Sequence, residues 1–115
     1  MAVINSISSA LDVIKKSGDT ALKYHAIWWL GKNKALEALT VLCEVLNEDN
    51  DQTDLGGYPL RRQAARSLGM IANSQAVPSL IQSLDSTDFR LQEAAILALR
   101  SINDSRAAPS LIAYL

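Results

Sequence analysis

The chain reads as an all-α protein, an α-α superhelix built from helical hairpin repeats. Three observations lead there. Shifted by 31 residues, the sequence matches itself at 11 of the 25 positions from 60 to 84, with Leu60, Ala64, Leu68, Ile71, Ser74, Ala76, Pro78, Ser79, Leu80, Ile81 and Leu84 returning through Leu115. A third copy lies upstream at a shift of 38, where Leu22, Ala26, Leu30, Gly31, Ala38, Leu42 and Leu46 anticipate Leu60 to Leu84. Within each copy the apolar residues recur at spacings of three and four, as on one face of a helix, whereas a half-buried strand would alternate. Fixed-period similarity marks a stack of units, each covering the face its neighbour leaves open. A binding surface is therefore expected ahead of a catalytic cleft.

Seven helices follow in order. The first covers 2–16, with Ile4, Ile7, Leu11 and Ile14 on one side; it lies outside the repeat register and is read as a cap. Three pairs come next: 20–32 with 36–46, 59–72 with 76–85, and 88–102 with 106–115. Asp19 or Thr20, and Thr87 or Asp88, are suited to cap helix N-termini by accepting from free backbone N–H groups. Pro59 opens a helix, and Pro78 and Pro109 fall in first turns, where a missing N–H costs nothing. The whole chain, 1–115, is read as one domain whose hairpins resemble short HEAT-like repeats; tetratricopeptide repeats have a similar period, but their aromatic and glycine signature is missing. The last helix stops at Leu115, a core position, with no closing repeat. The chain is thus expected to be a fragment of a longer solenoid, or to stack on a partner or a second copy through its open end.

The period breaks once. Between Leu46 and Leu60 lie 13 residues, against six between Leu84 and Leu91, which places an inserted, acidic loop at 47–58. Insertions in repeat arrays map to loops, often on a binding side; a tolerated surface insertion is the equal alternative. A calcium loop starting at Asp49 would need glycine at its sixth position and glutamate at its twelfth. Asp54 and Leu60 stand there, so the metal reading fails.

Composition excludes other classes. The net charge is −1 and the pI about 5.7, without the basic stripe that phosphate neutralisation requires. No apolar run approaches the roughly 20 residues of a membrane span, and no secretory signal opens the chain. One cysteine cannot form an internal disulfide. A soluble, intracellular protein without nucleic-acid or membrane partners is expected. Cys43 shares its register with Ile81 and Ile112 and is read as core, a small hydrophobe and not a nucleophile. His25, the single histidine, has no acidic residue or cysteine one turn away to complete a metal site or triad. Gly56-Gly57 lacks the flanking residues of a phosphate loop.

The outward columns carry more information. With Ala26 and Leu30 inward, Tyr24 and Trp28 point outward and Trp29 lies at the core edge. The same columns hold Arg62 and Arg66 in the second pair, then Glu93 and Leu97 in the third. Exposed Tyr and Trp beside two arginines suit a docking patch, because these residue types dominate interface hot spots. The second helices present Glu37, Val41 and Glu44, then Gln75, Ser79 and Gln82, then Arg106, Ser110 and Ala113, a small polar surface with one cation.

The stretches Tyr24-His-Ala-Ile-Trp-Trp-Leu-Gly31, Asp54-Leu-Gly-Gly-Tyr-Pro-Leu-Arg-Arg-Gln-Ala-Ala-Arg-Ser-Leu-Gly69 and Ala76-Val-Pro-Ser-Leu-Ile81 resemble the E-type subunits of heterodimeric phycobilin lyases, above all those for the phycocyanin α subunit. The resemblance runs from about residue 20 to the end. The tryptophan pair and the Gly-Gly-Tyr-Pro-Leu-Arg-Arg run are its specific part; Ala-Val-Pro-Ser-Leu-Ile is generic to HEAT-like repeats. It implies a cytoplasmic, cyanobacterial enzyme subunit that works with an F-type partner and attaches phycocyanobilin, its substrate, to a cysteine of phycocyanin α. No resident cofactor is implied, and no catalytic residue carries over. The family is over twice as long, so this chain would be an N-terminal portion, inactive alone. A lyase of this kind needs no nucleophile of its own, since the acceptor protein supplies the thiol; its task is positioning. Bilin propionates call for Arg or Lys, and Arg61, Arg62 and Arg66 follow the inserted loop. The binding set expected for bilin or partner is Tyr24, Trp28, Asp54, Tyr58, Arg61, Arg62 and Arg66. The competing class is a non-enzymatic HEAT-like adaptor, as in phycobilisome turnover.

Two variants test this reading. Arg62→Glu with Arg66→Glu is expected to weaken binding and spare the fold. Leu68→Asp should abolish cooperative thermal unfolding, since burying an unpaired carboxylate costs several kcal/mol; an unchanged melting temperature would mean the core register is wrong.

Overall fold

The computed structural model describes residues 3–48, 53 and 57–112. Among these, seven α-helices and three short 3₁₀ turns form the chain and no strand occurs: α1 (Ile7–Lys16), α2 (Thr20–Lys32), α3 (Leu39–Asn47), α4 (Pro59–Ile71), α5 (Val77–Ser83), α6 (Phe89–Ile102) and α7 (Ala108–Ile112). The first helices of the three pairs, α2, α4 and α6, lie side by side. Each second helix packs on the first helix of the next pair, α3 on α4 and α5 on α6, while α1 covers α2. The Cα trace spans 45 × 32 × 16 Å, a slab two helices thick.

Local chemistry sets most boundaries. Asp19 caps α2 by accepting from the Leu22 N–H at 3.2 Å, and Asp88 caps α6 through the N–H groups of Arg90 and Leu91. Ser6 and Ser9 form a reciprocal capping box. The first helix therefore begins at Ile7, not at residue 2 as expected from apolar spacing alone. The second helices also start later than expected. Each is preceded by a 3₁₀ turn: Leu36–Ala38, Ser74–Ala76 and Ser105–Ala107. In the last two, Asn73 and Asp104 accept from the N–H two residues on, at 2.9 Å each, and hold the backbone in the tighter turn.

Every first helix also ends alike. Lys34, Ala72 and Asn103 stand at equivalent positions of the three repeats, with φ of 50°, 57° and 56°. This left-handed residue reverses the chain into the second helix. No glycine occupies it: Asn103 adopts this conformation readily, whereas at Lys34 and Ala72 the hairpin imposes it on side chains that resist it.

The expected core is the observed one at Leu30, Leu42, Leu46, Leu68, Leu80, Leu91 and Leu99, all essentially inaccessible. Ile27 joins them. Of the residues expected on the inner side of the first helix, Ile4 precedes α1 and, like Ile7, Leu11 and Ile14, is only partly buried, while Ala10 and Val13 sit deepest. The column of Cys43, Ile81 and Ile112 was expected to be core throughout. It is half-buried at Cys43 and Ile81, and Ile112 is 65% exposed. That column lies at the rim of the second-helix layer, and among the described residues nothing covers α7 on its far side.

Small residues set the spacing of the first-helix row. A Cβ on Gly31 would lie 2.5 Å from the Cβ of Ser67, and one on Gly69 would lie 2.8 Å from the Cα of Ala98. The backbones of α2, α4 and α6 thus meet where only hydrogen fits. Buried polar groups reinforce the first contact: the Ser67 hydroxyl donates to the Ile27 carbonyl at 2.7 Å, and the buried Gln63 amide donates to Ser67 Oγ at 3.2 Å.

Gly31→Ala must force α2 and α4 apart, and overpacking of this kind costs about 1–3 kcal/mol. The melting temperature by circular dichroism should fall by roughly 5–15 °C. Gly18→Ala, where nothing lies within 4 Å of the added carbon, should leave it nearly unchanged.

Candidate functional site

Six of the seven residues expected to bind are described, and the structure divides them into two groups with different contacts. Tyr24 and Trp28 stand on the outer face of α2, 38% and 36% exposed. Trp28 stacks on His25, with ring centroids 5.4 Å apart and 25° between planes, and the Lys32 ammonium lies 4.9 Å above the indole. Trp29 is half-buried at the core edge, as expected. From α4, Arg66 reaches the same face, and its guanidinium donates to Tyr24 Oη at 3.3 Å and to Gln63 Oε1 at 3.4 Å. Tyr24, Trp28 and Arg66 therefore form one patch. Asp54 lies outside the described residues.

Arg61, Arg62 and Tyr58 are taken up elsewhere. Arg61 donates from Nε to the Leu46 carbonyl at the end of α3, at 2.7 Å, and its guanidinium lies 4.7 Å from the Tyr58 ring centroid. Arg62 donates from Nε to Asp88 Oδ2 at 2.8 Å, with only 21% of the arginine side chain and 3% of the aspartate exposed. The Tyr58 N–H donates to the same oxygen at 2.9 Å. Arg61 diverges from Arg62 by about 100° around the helix, while Arg62 and Arg66 share a face one turn apart and turn to opposite sides, Arg62 to Asp88 at the start of α6 and Arg66 to Tyr24 on α2. The expected cationic cluster does not exist as a unit.

Asp88 is the residue whose weight sequence reasoning understated. Its carboxylate caps α6 with one oxygen and holds Tyr58 and Arg62 with the other, joining the start of α4 to the start of α6. Gly57 is shaped to this arrangement, because a Cβ there would collide with Arg62 Nη2. Burial pushes the Asp88 carboxyl up, but the bonds from Arg62, Tyr58 and Leu91 outweigh it and hold the group below the usual carboxylate range. Arg62→Glu would set a second carboxylate against this buried one. The expectation that the paired Arg62/Arg66 substitution spares the fold is thereby corrected: only Arg66 is a clean surface probe.

Beside the patch runs an open groove between α4 and α6 of about 500 Å³, walled by Arg66, Met70, Arg90, Glu93 and Leu97 and floored by Gly69, Ala94 and Ala98. Glu93 and Leu97 were expected in these columns; Arg90 was not, having no counterpart in the other repeats. Cys43 faces away from this site. Burial raises its thiol pKa, with hydrogen bonding to Ser79 opposing and the Glu44 charge adding, so the net direction is upward. Such a thiol is a poor nucleophile. Among the described residues there is no cluster of three or more His, Cys, Asp or Glu able to hold a metal ion, and no helix is long and apolar enough to cross a membrane.

Fold and site define a helical-hairpin scaffold with an exposed face of aromatic and cationic side chains. Residues 58–115 match the HEAT repeats family, and residues 22–48 match the PBS lyase HEAT-like repeat. The chain belongs to the HEAT-repeat family. It is 48% identical over 102 residues to the phycocyanobilin lyase subunit alpha of Nostoc sp. PCC 7120, covering 87% of this chain and 37% of that one. To the bilin biosynthesis protein PecE of Mastigocladus laminosus it is 47% identical over 98 residues, covering 84% of this chain and 36% of the relative. Its fold superposes with a TM-score of 0.90 at 43% identity on a chain of the complex of CpcE and CpcF of phycocyanin lyase from Nostoc sp. PCC 7120, over 98% of this chain and 43% of that one. The resemblance to E-type lyase subunits stands, and this chain spans about two fifths of their length.

Replacing Asp88 by alanine strands the mostly buried Arg62 and removes the α6 cap, a loss of about 3–5 kcal/mol; Asp88→Asn, which keeps an acceptor, should lose less. Because the folded carboxyl binds protons more weakly than the unfolded one, its contribution is complete above the unfolded-chain pKa of about 4 and fades as pH falls through the lower folded value. Acid melts should therefore show wild type converging on Asp88→Asn below about pH 4.

Proposed function

We propose that this chain is part of an E-type phycobilin lyase subunit. It positions phycocyanobilin for attachment to a cysteine of phycocyanin α and works with an F-type partner in the cytoplasm. The observation that carries this reading is the agreement of fold and sequence with lyase subunits, at 43% identity and a TM-score of 0.90 over nearly the whole chain. The chemistry asks little of the protein's own side chains. The acceptor thiol adds across the exocyclic ethylidene double bond of the bilin: a C–S bond forms, the thiol proton ends on the bilin, and no group leaves. What must be supplied is orientation of the two reactants and exclusion of wrong additions. Of the expected binding residues, Tyr24, Trp28 and Arg66 are the described ones whose side chains are left to meet bilin or partner. Tyr58, Arg61 and Arg62 support them by fixing the start of α4. The non-enzymatic adaptor reading gains no observation of its own.

The test is a graft. Residues 3–112 replace the matching stretch of a full-length E-type subunit, which is co-expressed with its F-type partner, apo-phycocyanin α and phycocyanobilin. Zinc-induced fluorescence of the phycocyanin band on a denaturing gel reports covalent attachment. The graft should give it, the chain alone should not, and Arg66→Glu in the graft should lower it by about tenfold or more, as for an interface hot spot. A folded graft that leaves phycocyanin unlabelled beside a working parent subunit overturns the reading.

A further inference from the structure

We propose that the groove between α4 and α6 is a seat for an acidic amphipathic helix of a partner protein, an inference independent of the lyase reading. Its argument begins with charge. Arg66 is held by two neutral acceptors, Tyr24 Oη and Gln63 Oε1, so its orientation is set while its charge is not neutralised. Gln63 is itself buried and anchored through Ser67 to the Ile27 carbonyl, so the guanidinium is aimed by a chain of fixed groups. Arg90 lines the same groove, and among the described residues neither arginine has a carboxylate within ion-pair distance. Glu93 is the groove's single acid. The groove is thus cationic in a chain whose net charge is −1.

Its shape and remaining walls favour a helix. α4 and α6, in backbone contact at Gly69 and Ala98, leave an open trough along their shared outer side. Met70 and the 52% exposed Leu97 give it an apolar stretch, and Phe89, 81% exposed, precedes the groove-lining Arg90 at the start of α6. In the repeat register Arg66 is level with Leu97, seven residues beyond Arg90, which places the two cations roughly 10 Å apart along the trough. That is two helical turns of an occupant. A partner helix with acids at i and i+7 and Leu or Phe on the adjoining stripe would pair both arginines and bury Leu97 and Met70. The trough is too open to enclose most of a small molecule's surface, as ligand pockets do.

A displayed library of 14-residue helical peptides, selected on the full 115-residue chain, tests this. The expected pool carries acids two turns apart beside Leu or Phe. Its members should lose at least about tenfold in affinity on Arg66→Glu with Arg90→Glu, and similarly on Leu97→Asp. Both variants alter exposed side chains, and circular dichroism melts confirm that they fold. A pool without acidic bias, or binding indifferent to both variants, overturns the proposal. So does biliverdin, a free tetrapyrrole with two propionates, if it binds with the same arginine dependence where no peptide does. A concentration-dependent dimer abolished by Leu97→Asp would assign the groove to a second copy and overturn it equally.

Discussion

Contact between the first helices at glycine is the constraint on which the other features rest. Gly31 against Ser67 and Gly69 against Ala98 bring three helix backbones closer than any pair of larger side chains would permit. Side chains that would otherwise stand apart on separate helices then share one surface. Tyr24 meets Arg66 across this row, and Arg66 and Arg90 wall one groove because α4 and α6 are pressed together beneath them. A wider row would bury the same leucines less completely and would separate Tyr24, Arg66 and Arg90 by the added distance.

Against that close row, the inserted segment is a perturbation that the protein contains at one point. Asp88 receives four donors: two from its own helix start, one from Tyr58 and one from Arg62. A capping residue has thereby become a tie between repeats, holding the chain where it re-enters the regular array. The arrangement depends on Gly57 leaving room for the guanidinium. Arginine and aspartate that look like surface charges in a sequence here form a largely buried pair, whose loss would expose the second partner's desolvation cost.

The distribution of positive charge follows from the same geometry. Of the arginines near the insertion, two are satisfied by structural acceptors and one is presented outward by neutral groups. Presentation by neutral acceptors preserves an arginine's capacity to pair with an incoming carboxylate, whether that belongs to a bilin propionate or to a protein. The lyase relatives give the first possibility its context, and the trough beyond Arg66 gives the second its shape.

Period and apolar spacing were enough to determine the helix count and the leucine core, because those follow from patterns repeated three times along the chain; that each second helix packs chiefly on the first helix of the next pair was not legible in them. The tryptophan pair and the Gly-Gly-Tyr-Pro-Leu-Arg-Arg run likewise point to E-type lyase subunits by sequence alone. The polar pair Gln63 and Ser67, four residues apart on an otherwise small and apolar stripe, is a sequence signal of a buried hydrogen-bonded contact. Which arginine faces outward, why Asp88 matters and where Arg90 stands were decided only by tertiary structure. A repeat pattern describes what is common to the hairpins, whereas a hydrogen bond between Arg62 and Asp88, 26 residues apart, belongs to one junction alone. Partners of that kind are chosen by distance in space, and spacing along the chain carries no record of them.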